Sequence, residues 1–127
     1  MRKLIILFIL TSLAACVTVK DEPPIVINGA AGYNERVMLP EGSKITIAII
    51  DLDTPGVIIA QKNFNVARAP IPFKFILPAK SIDDSVNYGV VALIKNQNRL
   101  LFQTYDRYQI INNGKFTVEI LMKMVKG

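Results

Sequence analysis

The 127-residue chain contains no histidine, no tryptophan and a single cysteine, and these absences exclude several kinds of site. Histidine is the commonest general base and metal ligand in proteins, and Ser-His and Cys-His nucleophile pairs depend on it. One cysteine cannot form an internal disulfide or a cysteine-rich zinc site. We therefore expect no catalytic triad, no metal centre and no bound cofactor, and we expect the protein not to be an enzyme.

Apolar residues are abundant instead, since 51% of the chain is hydrophobic and 20% is charged. A domain of this size buries roughly two thirds of the surface that its unfolded chain exposes, which is enough for a core without disulfides. Lysine and arginine exceed aspartate and glutamate by 15 to 10, but no two basic residues are adjacent after position 3. A dispersed surplus of this kind is typical of a solvated surface, so nucleic acid is not an expected partner.

The first sixteen residues have the organisation of a secretory signal. Met1–Lys3 is cationic, Leu4–Leu10 is an unbroken apolar run, and Leu13, Ala14 and Ala15 lead directly to Cys16. The apolar run is shorter than the about 20 residues that a transmembrane helix needs. The last four residues resemble the bacterial lipobox, which implies removal of residues 1–15 and lipidation of Cys16. The alternative is an ordinary signal peptide cleaved after one of the alanines.

Lipidation would attach the protein to a membrane. Each buried methylene group contributes about 0.8 kcal/mol, so two or three acyl chains hold a protein there essentially permanently. By analogy with lipoprotein sorting, Val17 in place of an aspartate after Cys16 indicates the outer membrane, on its periplasmic face. Residues 16–24 end in Pro23 and Pro24, which predicts a short, extended tether between the lipid and a domain spanning residues 25–127.

After the tether, apolar residues alternate with the period of two that indicates β-strands, most clearly in Lys44–Leu52, Pro70–Leu77 and Phe116–Met124. Prolines on one face of Pro70–Leu77 predict an edge strand or a bulged one, because proline cannot donate to a β-ladder. Asn113-Gly114 predicts a hairpin between Tyr108–Asn112 and the last strand. Six to eight short strands with turns roughly every 8 to 12 residues predict an all-β fold, an antiparallel sandwich or a small barrel.

Several motifs together resemble the YbaY and YscW group of bacterial lipoproteins. The matching residues are Tyr33, Glu35, Arg36, Leu39, Pro40, Gly42, Asp51, Phe73 and Phe75. The resemblance covers about residues 25–112 and implies a single antiparallel β-sandwich, in which these residues have structural roles. Members of the YscW branch are pilotins, which bind secretin subunits and assist their outer-membrane assembly. The resemblance therefore implies an outer-membrane protein or a secretin as a partner.

A cluster of aromatic and basic residues is the main candidate for a partner-binding surface. Its members are Arg99, Phe102, Tyr105, Arg107 and Tyr108. Such residues are enriched at protein interfaces, although a β-sandwich also uses aromatic side chains to close its core.

Three classes of function fit the sequence. The first is a lipid-anchored, non-enzymatic protein that binds or assists another envelope protein, a pilotin being one form, and it predicts an exposed apolar patch or groove. The second is a binding module for a small or lipidic ligand in the periplasm, which needs an apolar cavity of about 300 Å³ or more. The third is an envelope hydrolase, which needs carboxylates that converge in a cleft. The candidate carboxylates are Asp51, Asp53, Asp83, Asp84 and Asp106.

Overall fold

The structure is a computed structural model that describes residues 22–125, and it confirms an all-β protein. The strands are β1 (Ile25–Tyr33), β2 (Lys44–Asp51), β3 (Ile58–Asn65), β4 (Ile71–Leu77), β5 (Tyr88–Asn96), β6 (Arg99–Thr104), β7 (Tyr108–Ile110) and β8 (Thr117–Met124). The described part contains one turn of 3₁₀ helix, Ala79–Ser81, and no α-helix. None of its helical segments has the length and apolar character needed to cross a membrane.

All eight strands belong to one sheet with the order β3-β2-β5-β6-β8-β1-β4, and β7 pairs with β5 next to β6. Neighbouring strands are antiparallel except β1 and β8, which are parallel. The two edge strands, β3 and β4, approach each other, since Lys62 Nζ of β3 lies 5.5 Å from the centre of the Phe75 ring of β4. The sheet is therefore curled into a nearly closed, barrel-like form.

This topology corrects the expected antiparallel β-sandwich in two respects. There is one continuous curled sheet instead of two separate layers, and β1 pairs in parallel with β8 while pairing antiparallel with β4. A period of two shows that one face of a strand is buried. It does not show whether the facing layer is a second sheet or the far side of the same curled sheet.

The predicted hairpin at Asn113-Gly114 is also wrong. Gly114 does adopt a left-handed φ of 83°, and its N–H donates to the carbonyl of Ile111. However, β7 pairs with the first residues of β5, whereas β8 pairs with β6 and β1. The turn signal was local and correct, but it does not specify which strands lie next to each other.

The core fills the inside of the curled sheet, and β4 shows the alternation most clearly. Ile71, Phe73, Phe75 and Leu77 are buried, while the residues between them are exposed. The position of β4 at one end of the sheet order confirms the predicted edge strand. Other buried side chains come from the remaining strands and include Ile27, Ile45, Ile47, Ile49, Val90, Ile94, Phe102, Ile110, Ile120 and Met122.

The strand directions give the barrel two ends. The described chain enters at Glu22–Pro24, before β1, and we call this the entry end; the connections 52–57, 78–87 and 111–116 lie on this side. The opposite, distal end carries the connections 34–43, 66–70 and 97–98. β1 has nine residues, so at about 3.3 Å per residue the two ends are separated by at most roughly 30 Å.

Candidate functional site

An apolar groove with a volume of about 270 Å³ opens at the distal end. One wall is the connection between β1 and β2, residues 34–43, which we call the distal loop; the other wall is formed by β6 and the end of β8. The lining residues are Val37, Met38, Leu39, Pro40, Arg99, Leu100, Leu101, Phe102, Met124 and Val125. Met38 is 73% exposed and Met124 is 49% exposed, so the groove presents flexible apolar side chains to solvent.

The floor of the groove is joined to its wall through Tyr33. Phe102 is only 2% exposed, and its ring stacks on the Tyr33 ring with 4.3 Å between the ring centres. The Tyr33 hydroxyl donates a hydrogen bond of 3.1 Å to the carbonyl of Val37. Tyr33 therefore positions the distal loop over the end of the core.

The Leu-Pro-x-Gly motif builds the far half of the distal loop. Leu39 is buried, and its N–H donates to the carbonyl of Ala67 at 3.0 Å. The Pro40 carbonyl accepts from the Ser43 N–H at 3.2 Å and from the Ser43 hydroxyl at 2.7 Å. Gly42, with a φ of 89°, occupies the third position of this turn, which requires a positive φ in a type II turn.

Asn96, at the end of β5, holds this turn from the other side. Its side-chain amide donates to the Glu41 carbonyl at 2.9 Å and to the Ser43 hydroxyl at 3.2 Å. Ser43 itself is 1% exposed. The loop wall is thus fixed before any partner arrives, which lowers the ordering cost of binding.

The structure divides the predicted aromatic and basic cluster between two places. Arg99 and Phe102 belong to the groove, where Arg99 is the one charged residue among the described residues that line it. Tyr105 and Arg107 are exposed on the segment between β6 and β7. Tyr108 is half-buried, and its hydroxyl accepts from the Leu121 N–H at 3.0 Å and donates to the Leu121 carbonyl at 3.4 Å.

The other motif residues are spread over the domain. Arg36 is exposed in the distal loop, whereas Glu35 is half-buried, with one carboxylate oxygen, Oε1, buried and without a hydrogen-bond partner among the described residues. The rings of Phe73 and Phe75 meet edge to face in the core, with 6.0 Å between their centres. Asp51 accepts bonds from two backbone N–H groups of the following turn.

The remaining carboxylates serve turns at the entry end. Asp53 accepts from the Asn87 N–H and side-chain amide, and these bonds, with a smaller effect of Arg107, lower its pKa. The N–H and hydroxyl of Ser85 lower the pKa of Asp83 in the same way. Over residues 22–125 no three cysteine or carboxylate side chains gather as metal ligands would. None of these carboxylates lines the groove.

The sequence did not point to the exposed apolar residues of the groove. Val37 and Met38 lie in an irregular loop, where no periodicity separates an inner face from an outer one. Met124 belongs to an alternating strand and was expected among its buried residues. The available signal was the pair Val37-Met38 itself, two adjacent apolar residues between polar Asn34–Arg36 and a tight turn.

Comparison with known proteins places this geometry in a family. Residues 22–122 match the family described as the type III secretion system lipoprotein chaperone, YscW. The chain belongs to the YscW family. This confirms the resemblance noted from the motifs, and the family match ends within β8.

A solved structure resembles this YscW-family chain closely. It is an alternative pilotin from the type II secretion system of Vibrio cholerae, which superimposes with a TM-score of 0.74 and is 29% identical in sequence. The match covers 80% of this chain and 97% of the pilotin. No curated protein sequence matches the chain significantly.

Proposed function

We propose that this protein is a pilotin-like chaperone of the bacterial envelope, which binds a secretin subunit in the distal groove and assists its assembly in the outer membrane. The observation that carries the proposal is the preformed apolar groove. Membership of a lipoprotein chaperone family and the similarity to a Vibrio cholerae pilotin support it. The protein acts by binding, without catalysis.

The groove suits a protein segment better than a small ligand. It opens to solvent and has flexible methionine side chains at its rim, Met38 and Met124. Small-molecule sites enclose most of the ligand surface, whereas an amphipathic segment buries one apolar face and leaves the other in water. A segment that docks here covers its own apolar residues, which is how a chaperone prevents their aggregation.

The lipid anchor belongs to the same proposal. Leu13, Ala14, Ala15 and Cys16, together with the signal peptide of residues 1–15 and most of the tether of residues 16–24, lie outside the described residues. We infer that Cys16 is lipidated and that the protein resides on the periplasmic face of the outer membrane. Glu22–Pro24 lie at the entry end, so the groove opens away from the attachment point.

The test is a binding titration with the purified secretin subunit of the source organism. Met38→Asp puts a charge at the rim of the groove, and we expect it to weaken binding by about tenfold or more, because the charge loses solvation when the segment docks. Ile76→Asp is the matched control, since Ile76 is 62% exposed on the outer face of β4 and does not line the groove. Circular dichroism of both variants checks that they are folded.

Two results contradict the proposal. One is a wild-type domain that does not bind the secretin subunit at all. The other is equal loss of binding in the Met38 and Ile76 variants, which would place the contact elsewhere on the surface.

A further inference from the structure

Charged side chains are distributed unequally between the two ends of the barrel. Among the described residues, the distal end carries six basic and two acidic side chains, and the entry end carries five acidic and two basic ones. The distal set is Arg36, Lys44, Arg68, Lys95, Arg99 and Lys123 with Glu35 and Glu41. The entry set is Glu22, Asp51, Asp53, Asp83 and Asp84 with Lys80 and Lys115.

Two of the distal lysines face each other across neighbouring strands. Lys44 of β2 and Lys95 of β5 are directly paired in the antiparallel register, and both are exposed. Like charges directly opposite each other on neighbouring strands destabilise a sheet. An anionic group bound between them would remove that repulsion.

The surface around the two lysines is a polar depression with hydrogen-bond donors and no carboxylate. Its volume is about 560 Å³. Its lining residues are Gly42, Lys44, Thr46, Asn63, Lys95, Gln97 and Asn98. A surface that combines positive charge with amide N–H donors favours a partner that carries carboxylates, because both kinds of group donate hydrogen bonds to carboxylate oxygens.

The depression and the apolar groove adjoin each other at the β5–β6 turn. Lys95 pairs with Leu100 and Asn96 pairs with Arg99, and both Leu100 and Arg99 line the groove. The distal loop borders both sites, with Pro40 in the groove and Gly42 in the depression. A segment that leaves the groove across this turn therefore passes over Lys95 and Lys44.

We propose that the segment bound in the groove is acidic as well as apolar, and that its carboxylates contact Lys44 and Lys95 beside the groove and Arg99 within it. This inference rests on the proposed secretin-binding function. An acidic segment is attracted by the basic distal end and repelled by the acidic entry end, so the charges orient its approach as well as its binding. Hydrogen bonds lower the pKa values of Asp53 and Asp83, so these two carboxylates of the entry end stay ionised to lower pH than ordinary aspartates.

The experiment compares two double variants that lose the same charge. Lys44→Gln with Lys95→Gln removes the facing pair, while Lys74→Gln with Lys80→Gln removes two exposed lysines outside both sites. Binding of the purified secretin subunit is measured at low ionic strength and in 0.5 M NaCl. We expect the first double variant to bind about tenfold more weakly at low ionic strength, and we expect this difference to disappear at high salt.

The outcomes separate this inference from the proposed function. If wild type binds the secretin and the Lys44/Lys95 variant binds equally well, the inference that the bound segment is acidic is wrong, and the proposal that the groove binds the secretin is retained. If wild type does not bind, the proposed function fails and this inference fails with it. If the two lysines support binding to phosphatidylglycerol vesicles and leave secretin binding unchanged, the distal end is a lipid-binding surface and the proposal is overturned.

Discussion

Gly29 occupies a point of β1 where neighbouring residues leave no space for a side chain. A Cβ atom there would overlap the Phe73 ring of β4 and the carbonyl oxygen of Val118 in β8. Gly32 lies in the same strand, and a Cβ atom on it would meet nothing within 4 Å. The two glycines therefore form a matched pair in which only one is under steric restraint.

We predict that Gly29→Ala lowers the free energy of unfolding by about 1 to 3 kcal/mol, because β1 must shift or Phe73 must leave its position. Gly32→Ala should change it by less than about 0.5 kcal/mol. Urea denaturation followed by circular dichroism measures both values. Equal effects of the two substitutions would show that the contact around Gly29 does not limit packing.

Single residues differ in how well the sequence reveals their roles. The pair Pro55-Gly56 is typical of a type II turn, and the structure has such a turn there, with a φ of 90° at Gly56 and a hydrogen bond from the Val57 N–H to the Thr54 carbonyl. That requirement is local, so the neighbouring residues disclose it. The requirement at Gly29 comes from Phe73 and Val118, which are distant in the chain, and no local pattern indicates it.

At the scale of elements, the wall of the groove depends on the bonds that join the distal loop to Asn96. We predict that Asn96→Ala lowers stability by about 1 to 2 kcal/mol, since the Ser43 hydroxyl, which is nearly inaccessible to solvent, loses a donor. It should also weaken secretin binding, because the loop must then be ordered when the segment docks. Hydrogen exchange at the distal loop and a binding titration measure the two effects.

Asn63→Ala is the control for that prediction. Asn63 lies on β3, which β2 separates from β5, and its side chain accepts a hydrogen bond from the Thr46 hydroxyl. It has no hydrogen bond to the distal loop among the described residues, so we expect its exchange pattern at the distal loop to match wild type. Unchanged loop exchange in Asn96→Ala would mean that Tyr33 and Leu39 are sufficient to hold the wall.

The sequence predicted the strands better than their pairing. Alternation of apolar residues located β2, β4 and β8, because burial on one face imposes a period of two whatever lies beside the strand. The parallel contact of β1 with β8 joins two segments far apart in the chain, and β7 pairs with β5 although β8 follows it in the chain. The choice follows from how the whole sheet closes, which local patterns do not encode.

The candidate site was less predictable than the fold. Arg99 and Phe102 were identified from their residue types, and the structure places both in the groove. Tyr105, Arg107 and Tyr108 were grouped with them because they are near in the chain, but the sheet separates them from the groove. A binding surface made by a loop and two strands arises only after folding, so proximity in sequence is a weak guide to its members.

For the whole molecule, the important feature is that the groove and the chain entry lie at opposite ends of one rigid barrel. The core is continuous from one end to the other, and Tyr33, Phe102 and Met122 connect β1, β6 and β8 near the groove. Glu22–Pro24, the first described residues, lie at the entry end and do not line the groove. Binding of a partner and attachment to the membrane should be separable functions.

We predict that Cys16→Ser separates partner binding from membrane attachment. The variant should bind the purified secretin subunit with wild-type affinity, because all the described residues that line the groove belong to the domain after Pro24. In cells it should be found in the soluble periplasm instead of the outer membrane, since it would lack the acyl chains that we propose hold the wild type there. Membrane fractionation of both forms, followed by detection of this protein and of the secretin, measures the outcome.

A pilotin-like role leads to a second prediction for cells that produce the Cys16→Ser form. If the anchored protein directs its partner to the outer membrane, the Cys16→Ser form should retain secretin in the soluble or inner-membrane fraction while remaining bound to it. Met38→Asp should give the reverse, an anchored protein whose secretin assembles poorly because the groove no longer holds it. A Cys16→Ser form that still fractionates with the outer membrane would show that lipidation is not the anchor, and the assignment of residues 1–16 would be wrong.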